Sequence, residues 1–61
     1  MVINMQVYSF RAVSPYGDVL LSTAMTANSY EDAMKKAFEW WRGVQTSHAA
    51  QGCTLQVVRI N

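Results

Sequence analysis

From Tyr30 to Val44, apolar residues recur at steps of three and four: Tyr30, Ala33, Met34, Ala37, Phe38, Trp41 and Val44. That spacing gathers them on one side of a 3.6-residue helix, and such a stripe must be laid against another apolar layer. The flanking segments supply one. Ile3 to Val13, INMQVYSFRAV, is rich in β-branched and aromatic residues without a helical stripe, and reads as a strand. In Ser14-Pro15-Tyr16-Gly17-Asp18 the proline presets φ for a turn and the glycine supplies a positive φ, which predicts a hairpin loop. Val19 to Ala27 is the return strand.

Asn28 and Ser29 are both good N-caps, with Glu31 and Asp32 respectively three residues on, where acids complement the helix dipole. Glu31 with Lys35, Asp32 with Lys36 and Glu39 with Arg42 are spaced as ion pairs on the side opposite the stripe. Gly43 weakens the helix. The helix is expected to run to about Ala50 and to be broken by Gly52, with a third strand from Cys53 to Ile60. The order β-β-α-β predicts an α+β fold, a single domain over residues 1–61. Its antiparallel three-stranded sheet has order 2-1-3, and one amphipathic helix packs on one face.

A chain of 61 residues has little interior, and 51% of this one is hydrophobic. Small domains near the limit of stability commonly rely on disulfides, metal or association. One cysteine, Cys53, makes no intrachain disulfide, and with one histidine, His48, it supplies too few ligands for a structural zinc site. Association with a second copy or a protein partner remains. The net charge of +1 provides neither an electrostatic funnel for phosphates nor an acidic surface that imitates them. The start of the chain lacks the pattern of a signal peptide, and no stretch has the length and apolarity of a membrane span, so a cytoplasmic protein without membrane contact is expected.

Alternation splits the strands into two sets. One is Met5, Val7, Ser9 and Arg11 with Val19, Leu21, Thr23 and Met25, and with Cys53, Leu55, Val57 and Arg59. The other is Gln6, Tyr8, Phe10 and Ala12 with Leu20, Ser22 and Ala24, and with Thr54, Gln56, Val58 and Ile60. The first is favoured under the helix, because its centre is aliphatic and its arginines sit near strand ends. Either choice leaves an apolar sheet face uncovered, and such a face marks an interface. On that reading Tyr8 and Phe10 bind a partner if their face is open, with Tyr16 at the hairpin tip and Trp40 beside the helix as further anchors. Trp41 is assigned to the core and Trp40 to its margin.

Tyr8 and Phe10 also suit base stacking, with Lys35, Lys36 and Arg42 approaching phosphates, but those cations project away from the sheet, so nucleic acid is not favoured. No carboxylate is placed to orient His48 as a base for Ser47 or Cys53, and no phosphate loop or oxyanion turn appears, so neither catalysis nor a cofactor is expected.

The strand, the S-P-Y-G-D turn, the second strand and the segment T-A-N-S-Y-E-D-A-M-K-K-A opening the helix resemble two sorts of small protein. One is the group of phage-encoded inhibitors, anti-CRISPR proteins among them, built as a short sheet and one helix. The other is the partial RNase-H-like domain of HicB-type antitoxins, from which this chain departs in lacking a third strand before the helix and a DNA-binding extension. The first resemblance implies a non-enzymatic inhibitor that acts by binding a host protein. A homodimer, or a tight complex with a protein partner, is expected to form through the uncovered sheet face.

Overall fold

The computed structural model describes residues 5–61, the side chain of Ala49 excepted. Strand β1 (Gln6–Val13), strand β2 (Val19–Ala27), helix α1 (Tyr30–Val44) and strand β3 (Thr54–Arg59) follow in the expected order. The sheet is antiparallel with β1 central, in the order β2-β1-β3. The start expected for the first strand at Ile3 lies outside the described residues.

The β1–β2 turn is closed by backbone bonds from Ser14 N–H to the Asp18 carbonyl (2.8 Å) and from Gly17 N–H to the Ser14 carbonyl (3.0 Å). Gly17 has φ +89°, a region where a Cβ is strained. Just beyond the turn Val13 faces Val19, but Ala12 faces Leu21, so Leu20 is an extra residue without an opposite number. This bulge changes the pairing parity along the rest of the hairpin. Even positions of β1 share a face with odd positions of β2, as Phe10 with Thr23 and Tyr8 with Met25. β3 joins in the same phase, with Phe10 opposite Val57 and Ala12 opposite Leu55.

The expected face sets are therefore corrected for β1. The helix covers Tyr8 and Phe10 of β1 together with Met25, Ala27, Leu55 and Val57, and Ala12 is buried further along the same face of β1. The favoured set matches β3 and the part of β2 from Leu21 onward, whereas Val19, opposite Val13, falls with the open face, and the bulge turns Ser9 and Arg11 to that side as well. The energetics agree. Burying two aromatic side chains contributes far more than burying Val7, and the alternative places an arginine and a serine under a helix.

Ser29 caps α1, its Oγ accepting from Asp32 N–H (3.2 Å), while Asp32 Oδ2 accepts from Asn28 N–H (3.1 Å). Of the three spaced pairs only Asp32–Lys36 closes, at 3.3 Å. The Lys36 Nζ also donates to the Thr26 carbonyl (2.8 Å), tying the helix to the end of β2.

The helix ends at Val44 rather than near Ala50. After Gly43, Thr46 competes for the last carbonyls, its Oγ1 and N–H both donating to the Gly43 carbonyl at 2.7 and 3.3 Å. The chain then tightens through a 3₁₀ turn, His48–Ala50, and passes Gly52 at φ +76° into β3.

The core centres on Phe10, 0% exposed, and Tyr8, 3% exposed. Ala33 and Ala37 of α1 lie over them, fully buried. The Tyr8 hydroxyl donates to Gln6 Oε1, so its polar end is satisfied.

Candidate interaction surfaces

Because sheet aromatics fill the space between the layers, the helix meets them with its smallest residues. Ala33, Ala37 and Trp40 point inward, and the helix is turned by about 50° from the centre of the sequence stripe. Trp40 therefore packs on the core, its ring 6.2 Å from that of Phe10, and Trp41 lies outside it with centroids 6.4 Å apart. The core assignment of Trp41 is corrected, while Trp40 lies at the core margin where it was assigned. Trp40 is half-buried and belongs to the core edge rather than to an open surface.

The displacement moves the large members of the stripe to one flank. Tyr30 is 60% and Phe38 54% exposed, with half-buried Met34 and Trp41 alongside. Tyr30 keeps an edge contact to Tyr8 at 6.4 Å. The opposite flank, carrying Asp32 and Lys36, is the one bonded to β2. The aromatic flank thus lies on the β3 side of the helix. Sequence reasoning placed Tyr30 and Phe38 in the core; the signal that the stripe was too wide is its own arc, about 140° from Ala33 to Phe38 at 100° per residue.

Tyr8 and Phe10 lie under the helix, so the condition on which they were expected to bind a partner is not met, and base stacking on them is closed for the same reason. Arg59 lies opposite Tyr8, on the helix side of the sheet. The face left open carries Val7, Ser9, Arg11 and Val13 of β1, and it is not the apolar surface expected. A polar row crosses its middle, Ser22, Arg11 and Gln56 standing side by side. Arg11 folds back so that its Nε donates to Ser9 Oγ (3.1 Å), and Ser9 is buried beneath it.

Tyr16 is where it was expected, 91% exposed at the hairpin tip. Its loop is braced from within. The Ser14 hydroxyl oxygen accepts from both Tyr16 N–H (3.2 Å) and Asp18 N–H (3.1 Å), in addition to the two backbone bonds that close the turn. Val19 and Leu20, at the bulge, are exposed beside it. An aromatic side chain is thereby held out from the end of the sheet on a braced turn. Such a group loses little conformational freedom on binding, because its backbone is already fixed.

No helix among the described residues is long and apolar enough to cross a membrane. Comparison with protein-family models, curated proteins and solved structures found no match.

Proposed function

We propose that the chain is a non-enzymatic protein-binding module, an inhibitor that sequesters or blocks a host protein in the cytoplasm as small phage-encoded inhibitors do. The observation that carries this reading is the braced hairpin tip, with Tyr16 extended into solvent. Tyrosine is among the residues that dominate binding energy at interfaces, since it covers a large apolar area with few rotatable bonds and keeps a hydroxyl for one directed hydrogen bond. Val19 and Leu20, at the bulge that follows the turn, add exposed aliphatic area to the same end of the sheet.

The test is parallel affinity purification of the tagged chain and of Tyr16→Ala from the organism that encodes it. The reading expects one protein retained by the native sequence and lost with Tyr16→Ala. Recovery of no specific protein, or equal recovery by both, contradicts it.

A further inference from the structure

We infer that the aromatic flank of α1 and the outer edge of β3 together form a two-fold interface with a second copy of this chain. This goes beyond the binding role of the hairpin tip, which lies outside the interface. Two independent features of the same side of the molecule carry it.

The first is the order of side chains along the flank. Tyr30, Met34, Phe38 and Trp41 form a continuous row up the helix. Set against itself in the antiparallel sense, the row brings Tyr30 beside Trp41 of the second copy and Met34 beside Phe38, so each large ring meets a complementary neighbour. Exposed Glu31 and Arg42 border the row on its solvent side, one in the first turn and one in the last. Antiparallel pairing sets Glu31 of each copy against Arg42 of the other, twice over. Parallel pairing sets like charges together. The macrodipoles also oppose in the antiparallel arrangement.

The second is the hydrogen-bonding phase of β3. Ile60 N–H donates to the Val7 carbonyl (2.8 Å), so the even residues of β3 bond inward to β1. The N–H and C=O groups of Leu55, Val57 and Arg59 then point out from the sheet edge. The strand has no proline, and its one charge, Arg59, is at its end, so it lacks the usual protections of an edge. The two-fold axis that pairs the helices antiparallel also pairs two β3 edges antiparallel. Strands lie about 4.8 Å apart and packed helices about 8–10 Å apart. Two helices seated over the β1 strands of a six-stranded sheet continuous through β3 therefore stand about 14 Å apart, a gap bridged by the exposed rings of Tyr30 and Phe38 from both copies rather than by close backbone packing.

The area is adequate. Tyrosine and phenylalanine each present about 200 Å², so the observed exposures leave roughly 230 Å² of ring per copy. The pair supplies about 460 Å² at the centre of an interface that needs about 1,000 Å² in total. Met34, Trp41, the stems of Lys35 and Arg42, and the β3 edge provide the rest.

Sedimentation velocity across a concentration series decides the matter. The native sequence is expected to be a dimer at 100 µM, and Phe38→Asp to raise the dissociation constant by roughly a thousandfold, since each copy loses an anchor worth about thirtyfold. Glu31→Arg and Arg42→Glu should each weaken the dimer, and their combination should restore it, while Tyr16→Ala leaves it unchanged. Far-UV circular dichroism accompanies each variant, and the charge exchange replaces only exposed side chains, so it reports even if Phe38→Asp fails to fold. A native monomer at 100 µM overturns the inference. So does a dimer that Phe38→Asp leaves intact, or one that the double exchange fails to restore.

Discussion

The ring of Phe10 packs against that of Trp40 with centroids 6.2 Å apart and planes inclined by 43°. This contact joins the central strand to the helix and is flanked mainly by alanines, so among the described residues the one large side chain with no exposure is that of Phe10. Phe10→Ala is expected to cost about 3–5 kcal/mol, enough to unfold a domain of this size, whereas Phe38→Ala at dilution should cost under about 1 kcal/mol. Urea denaturation followed by tryptophan fluorescence separates the two. Similar losses at both positions contradict the assignment of inside and outside.

Asp32 supplies a dependence on pH. The Asn28 N–H bonded to its carboxylate, together with Lys36 at 3.3 Å, holds its pKa below the ordinary value. A depressed folded-state pKa means that the folded chain binds the proton less tightly than the unfolded chain. The contribution is therefore complete above the unfolded value of about 3.9 and is lost as pH falls through the folded value. The urea midpoints of the native chain and Asp32→Asn should differ most near neutral pH and converge in acid. A gap that stays constant from pH 7 to pH 2 refutes this.

Two glycines should respond in opposite ways to alanine. Gly43 lies inside the helix with open space around its Cβ position, so Gly43→Ala should stabilise by up to about 1 kcal/mol. Gly17 also has open space, but its φ of +89° strains any Cβ, and Gly17→Ala should destabilise by about 1–2 kcal/mol. Thermal midpoints measured side by side show the sign of each.

Local chemistry made much of the fold legible. Ser14, Pro15 and Gly17 mark the turn, Ser29 and Asp32 the helix start, and β2 runs from Val19 to Ala27 as its composition indicates. The β-β-α-β order led to the sheet order, because a central first strand is the simplest closure. What alternation alone does not contain is the phase between strands. One unpaired residue, Leu20, reverses it for β1, and with it which aromatics are inside. The helix rotation depends on the same fact, since Ala33 and Ala37 face inward only once Tyr8 and Phe10 occupy the layer between. Of the four residues expected to bind a partner, Tyr16 alone was read from purely local features, a turn tip, and it alone is fully presented to solvent.

On the proposed function a partner meets the exposed Tyr16 and not the buried Tyr8. Tyrosine nitration followed by peptide mass spectrometry tests it directly, on the folded chain at low micromolar concentration. Tyr16 should be modified rapidly, Tyr30 more slowly and Tyr8 only after denaturation, and Tyr16 should become protected when the captured partner is added. Rapid nitration of Tyr8 in the folded chain, or a partner that leaves Tyr16 fully reactive, contradicts it.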